Sequence, residues 1–167
     1  QLIEACFYIW IIFAAINYKN ITSRRYIDWF ITTPTMLVST LLYFEYKNGE
    51  TKVFDILKKE KYNISIMLIC NVFMLVFGLL GELNILPLYV SVGIGFIFFV
   101  KAFDILYKYA KKTDHGKNIF YVMLAVWSLY GFSALLPIYS KNISYNILDL
   151  ISKNFFGIFL YIMIYRK

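Results

Sequence analysis

The chain has 167 residues, of which 60% are hydrophobic, 20% aromatic and only 16% charged, and its mean hydropathy is +0.64. Soluble domains carry about 25% charged residues, so a water-soluble globule is excluded and a lipid bilayer is the solvent this composition implies. The net charge of +7 does not call for nucleic acid, because the basic residues gather in loops between apolar runs, as they do in cytoplasmic loops of membrane proteins.

In chain order, the first apolar run, Ala5 to Tyr18, holds 14 residues, about 21 Å of helix against a hydrocarbon core of about 30 Å. Glu4 interrupts it and no basic segment precedes it, so no signal peptide is recognised. The expectation is a chain that begins inside a helix whose upstream part is absent.

The second run, Arg24 to Tyr46, contains the richest segment, Arg25-Tyr26-Ile27-Asp28-Trp29-Phe30-Ile31-Thr32-Thr33-Pro34. On a helix Arg25, Asp28, Thr32, Met36, Ser39 and Tyr43 recur at three or four residues, a largely polar stripe that should face protein or water. Pro34 removes one backbone bond, which neighbouring threonine hydroxyls can compensate. Taken alone, this is either a kinked packing helix with polar glue or one wall of a site.

A loop with Lys47, Lys52, Lys58, Lys59 and Lys61 follows. Its segment Lys52–Tyr62 reads equally as an amphipathic helix on the inner surface or as a solvated loop. Further spans are expected at Ile64–Leu83 and Leu86–Tyr107, then a basic loop (Lys108, Lys111, Lys112, Lys117), then spans at Ile119–Tyr139 and Ile147–Tyr165. The positive-inside rule puts the basic loops and the terminal Arg166-Lys167 in the cytoplasm, and the turns at Asn17–Thr22, Glu82–Pro87 and Ser140–Tyr145 outside. His115 sits beside Asp114 in a polar loop as a solvated residue, and Cys6 and Cys70 lie in apolar runs, which suggests packing rather than a disulfide. There is no zinc spacing, phosphate-binding glycine loop or internal repeat, and the reading is of a non-enzymatic membrane protein.

The last run carries the most informative residue. Lys153 lies one turn after Asp149 within apolar sequence, where a charge costs roughly 2.5–3.5 kcal/mol on insertion scales. The i,i+4 spacing puts both on one helix face. Such a lysine is either half of an ion pair joining two helices or is covalently used.

Three motifs carry a resemblance. The segment Arg25 to Pro34 closely matches the third-helix signature of microbial rhodopsins, Trp127-Ser128-Leu129-Tyr130 is similar to their sixth-helix wall, and Asp149-Leu150-Ile151-Ser152-Lys153 matches their seventh-helix attachment motif. The resemblance implies an all-α membrane protein, a seven-transmembrane-helix rhodopsin bundle in which residues 1–167 form a single domain of helices two to seven, the first helix and part of the second being absent. It implies all-trans retinal on Lys153 as a Schiff base, Asp28 and Asp149 as counterions, and Arg25 organising water outside them. Trp29 and Trp127 would sandwich the polyene, with Thr33, Met36, Met74, Gly78 and Tyr130 completing the pocket. Ser152 and Gly131, where bacteriorhodopsin has alanine and proline, imply a shift of absorption toward blue.

Departures from the proton-pump pattern narrow the expected activity. Ser39 stands at the place of the cytoplasmic proton donor, Lys141 at that of a proton-releasing glutamate, and the aspartate at 28 disfavours chloride and sodium pumping. Asn154 after Lys153 resembles the channelrhodopsin gate asparagine, Glu4 is at a depth that matches its glutamate partner, and Thr33 and Asn71 fall where channelrhodopsins and pumps alike have a bonded pair between the third and fourth helices, with Asn71 in place of the usual aspartate. With Asp28, Thr32 and Ser39 as its motif, the chain looks most like the rhodopsins of large algal viruses. The implied function is a light-gated cation channel passing monovalent cations or protons, multi-pass in a host-cell membrane with a cytoplasmic C-terminus, with a homo-oligomer among the assemblies the resemblance allows. The alternatives are a light-driven outward proton pump and a sensory photoreceptor acting through a partner.

Overall fold

The computed structural model describes residues 5–6, 8–10, 21–50 and 52–165. Glu4, Arg166, Lys167 and most of the turn expected at Asn17–Thr22 lie outside the described residues. Residues 5–6 and 8–10 are helical, and no strand occurs among the described residues. The elements that follow are α1 (Ile21–Lys47), α2 (Val53–Lys59), α3 (Lys61–Glu82), α4 (Leu88–Ala110), α5 (Asp114–Ala134), α6 (Ile138–Asp149), a π-helical segment (Leu150–Phe155) and α7 (Phe156–Tyr165). Helices α3 and α4 and the rod Ile138–Met163 are long and apolar enough to cross a membrane. Helix α1 is less apolar because it buries Arg25, Asp28, Thr33 and Thr40 toward the bundle.

The ends of these helices follow local chemistry. After α1, Gly49 adopts φ 98°, and the amides of Gly49 and Glu50 bond the carbonyls of Tyr46 and Glu45 at 3.1 Å. After α3, Asn84 takes the left-handed φ of 57°, with Asn84 N–H on Gly81 and Ile85 N–H on Leu80. Both are Schellman stops, made by the two residue types that tolerate that conformation best. Thr113 caps α5 by accepting the Gly116 amide at 3.0 Å. Segment Val53–Lys59 is a short amphipathic helix, with Ile56 buried and Phe54 exposed, so the helical alternative holds over this part of the loop.

One boundary differs from expectation. The turn placed at Ser140–Tyr145 falls instead at Leu135–Pro137, and residues 140–145 lie inside α6. Pro137, which lacks an N–H and fixes its own φ, sits at the helix N-cap, so the apolar run Ile119–Tyr139 is divided between two helices. The polar residues that resembled a loop have partners: Lys141 Nζ reaches Glu82 Oε1 at 2.7 Å, and Asn142 accepts from Thr22 and donates to the carbonyl of Ile138.

Leu37 and Leu41 of α1, Met67 of α3 and Leu106 of α4 are fully buried in one cluster with Phe99, Phe103, Phe120 and Trp127. In lipid, this packing and the interhelical hydrogen bonds hold the helices together, since tails are as apolar as leucine. At the end where α1 and α4 stop, Lys112 bonds Glu45, Tyr109 bonds Glu60 and Lys47 bonds the carbonyl of Met163. The expected cytoplasmic lysines of both loops thus collect at one end of the bundle.

Candidate functional site

Helix α1 and the α6–α7 rod face each other across four buried charges. Lys153 Nζ bonds Asp28 Oδ2 and lies 3.2 Å from Asp149 Oδ1, while Arg25 Nη1 lies 3.1 Å from Asp149 Oδ2. Asp149 is fully buried, Asp28 and Arg25 are 2% exposed and Lys153 is 6% exposed. Two cations and two anions cancel, which is what allows ionised groups to be taken out of water together.

The two carboxylates sit in unequal shells. Besides Arg25 and Lys153, Asp149 accepts from Tyr8 at 2.7 Å, Trp29 Nε1 at 3.2 Å and Tyr130 at 2.8 Å. Because Tyr130 gives its only proton to Asp149, the 2.7 Å contact between Tyr130 and Ser152 is donated by the serine. Asp28, by contrast, keeps Oδ1 buried with no partner among the described residues. Arg25 is held in turn by Tyr8 at 3.2 Å and by Asn146.

The π-helical segment Leu150–Phe155 contains Lys153; π turns inside α-helices are rare and concentrate at functional sites. From Lys153 a cavity of about 110 Å³ runs between α1, α3, α4 and α5. Trp29, Thr33, Met36, Met74, Gly78, Trp127 and Tyr130 all line it, so the structure brings these expected residues together. Asp28 and Asp149 lie at its Lys153 end through their bonds to Nζ. Leu75, Ser91, Phe96, Phe99 and Tyr145 line it as well and were not anticipated; an aromatic or a serine in an apolar run carries no signal that separates a pocket wall from ordinary packing. Gly78 is needed for a close approach, since a Cβ there would stand 2.6 Å from the Tyr26 hydroxyl.

Other expected residues fall in different places. Asn71 Nδ2 donates to Thr33 Oγ1 at 2.9 Å, and Thr33 donates to the carbonyl of Trp29 at 2.8 Å, so the pair joins α3 to α1. Thr32 bonds the carbonyl of Asp28 at 3.0 Å. With Thr35 on the carbonyl of Ile31, the hydroxyls cover carbonyls flanking that of Phe30 and not the one freed by Pro34. Ser39 departs from the predicted stripe: it is exposed, and Thr40 takes the fully buried position, because the buried row of α1 runs one residue further round, through Tyr26, Trp29, Thr33, Leu37, Thr40 and Phe44. Asn154 is half-buried beside Lys153.

An apolar cavity lined by a buried amine, with an orphaned carboxylate oxygen beside that amine, fits retinal: an apolar polyene and a cationic link that needs an anion close by. Lys153 would hold it and Asp28 and Asp149 would balance it.

Comparison with known proteins agrees. No curated protein sequence matches this chain. The family described as bacteriorhodopsin-like protein matches residues 1–166. Among solved structures, the viral rhodopsin OLPVRII aligns with a TM-score of 0.87 and 30% identity, over 99% of this chain and 78% of its own. This chain therefore belongs to the bacteriorhodopsin-like family, as a multi-pass membrane protein that binds retinal on a lysine and serves light-driven ion transport.

Proposed function

We propose that this protein is a light-gated cation channel formed by a single rhodopsin domain, with all-trans retinal on Lys153. Bound retinal supplies visible absorption and a change of shape on illumination. Asp149 is saturated with donors from Arg25, Tyr8, Trp29 and Tyr130, which leaves Asp28 as the carboxylate able to take the proton from Lys153 Nζ. Once that proton moves, the attraction between Asp28 and Lys153 is lost, and with it one of the two buried ion pairs between α1 and the α6–α7 rod. Asn154, beside Lys153, is the gate residue past which cations then move, and Glu4, which lies outside the described residues, is proposed as its acidic partner, a carboxylate favouring cations as charged rings do in other channels. The C-terminus is cytoplasmic and the setting is a host-cell membrane.

The observation that carries this reading over a pump is the Asn71–Thr33 bond at 2.9 Å. Thr33 lines the cavity with Lys153 and lies on the lysine-rich side of Asp28 along α1, and the pair presents there an amide and a hydroxyl, neither of which can return a proton to Nζ. Ser39 cannot do so either, and Lys141 is engaged with Glu82 where a pump would release protons. Whole-cell recording at several voltages tests the proposal: photocurrents should reverse near the potential set by the cation gradient. A photocurrent of fixed sign at every voltage would exclude it. The direct Asp28–Lys153 contact equally suits an outward proton pump, which would reveal itself as light-driven acidification by intact cells.

A further inference from the structure

Helix α2 turns one side to the bundle and leaves the other bare. Ile56, 2% exposed, shares a buried cluster with Ile64 of α3. The Glu60 amide bonds the Ile56 carbonyl at 2.8 Å, and the Ile64 amide bonds that of Glu60 at 2.9 Å, so α2 is held beside the first turn of α3. Two residues either way from Ile56, about 200° round the axis, Phe54 and Lys58 point away from that contact. Phe54 is 84% exposed, and Lys58 is exposed with Lys52 and Lys61, which flank the helix. Lys59 is tied to Glu50 at 2.8 Å and Glu60 to Tyr109 and Asn63, but Lys52, Lys58 and Lys61 form no ion pair with another described residue. Asp55, also exposed, stands to one side of the Phe54–Lys58 row. The depth of this row identifies its solvent. Tyr62, one residue into α3, is 73% exposed, and exposed tyrosines at the ends of membrane spans sit at the boundary between headgroups and acyl chains. Helix α2 lies at that level, at the lysine-rich end of the bundle.

We propose that α2 with the first turn of α3 is a docking surface for anionic lipids of the leaflet at the lysine-rich end. The Phe54 ring enters just below the phosphates, as the apolar side of an interfacial helix does, and the ammonium groups of Lys52, Lys58 and Lys61 hold the headgroups. Three unpaired cations complement the negative surface of such a leaflet, where each basic side chain near the surface adds to the attraction. Lysine suits the place, since its stem lies along apolar material while its charged end stays with water and phosphate.

The test uses the full chain with retinal bound, in vesicles of phosphatidylcholine alone or mixed with phosphatidylserine. Phe54→Trp keeps an aromatic ring and adds an emission, read as the difference from the unaltered protein. Lipids brominated just below the glycerol should quench that emission at least twice as strongly when phosphatidylserine is present, and high salt should cancel the difference. Lys58→Gln with Lys61→Gln should abolish the dependence on phosphatidylserine. Lys108→Gln with Lys111→Gln, an equal loss of exposed charge at the same end, should leave it, which separates a local site from the diffuse attraction of a basic surface. All four lysines are exposed, and an unchanged visible band checks that each variant is folded. Equal quenching in the two lipid mixtures, or loss of the dependence in both double variants or in neither, would overturn the proposal. So would an added emission reached by acrylamide in the water and not by the brominated lipid, which would give the row to water or to a soluble partner.

Discussion

Asp28 and Asp149 are the same chemical group in two different shells, and the difference predicts different consequences of mutation. Arg25→Ala removes the guanidinium that offsets Asp149 and leaves a buried anion short of a partner; loss of one member of a buried pair costs about 3–5 kcal/mol, visible as a lower melting temperature of the protein without retinal. Lys153→Ala should fold less stably for the same reason and should give no visible band when retinal is added, which a spectrum of the purified protein settles. Asp28→Asn should retain pigment but absorb at longer wavelength, because the cationic end of the chromophore loses an anion in direct contact. These four charged residues were legible in the sequence, since a charge in an apolar run is an anomaly whose cost demands an explanation. Tyr8 and Tyr145 were not. The chain has 15 tyrosines, and only the fold shows which of them reach the site.

At the level of elements, hydropathy located the spans but not every boundary. The stops after α1 and α3 rest on Gly49 and Asn84, which are local signals, whereas the start of α6 depended on weighing Pro137 against a polar stretch whose partners, Glu82 and Thr22, lie far away in sequence. A polar residue with a distant partner looks like a loop until the partner is known. The junction of α2 and α3 has its own consequence for pH. Burial works against the half-buried Glu60 carboxylate, but hydrogen bonds from Tyr109 and Asn63, aided by Lys59 and Lys112, outweigh it and hold its pKa below the usual range. A lowered folded-state pKa contributes stability above the unfolded value, about 4.3, and that contribution is lost as pH falls through the folded value. The melting temperature should therefore fall below about pH 4.3, and Glu60→Gln should flatten that fall; an unchanged slope would refute the assignment.

Across the whole molecule the two ends are tied in different ways. Lysines collect at one end around Glu45 and Glu50, while the other is closed by the Lys141–Glu82 pair, whose side chains are 9% and 10% exposed. Glu82→Gln strands that lysine and should destabilise the bundle by about 3 kcal/mol, whereas exchanging the two residues should recover most of the loss, as thermal unfolding in detergent would measure. The π segment lets this assembly and the aiming of Lys153 be governed separately. A wide turn absorbs one surplus residue without rotating the helix on either side of it, so trimming Ile151 should iron the rod straight, leave α6 and α7 seated against their neighbours, and swing the amine off its two acids. Such a deletant should stay folded yet fail to develop colour, a bundle intact in every wall whose one hook points the wrong way.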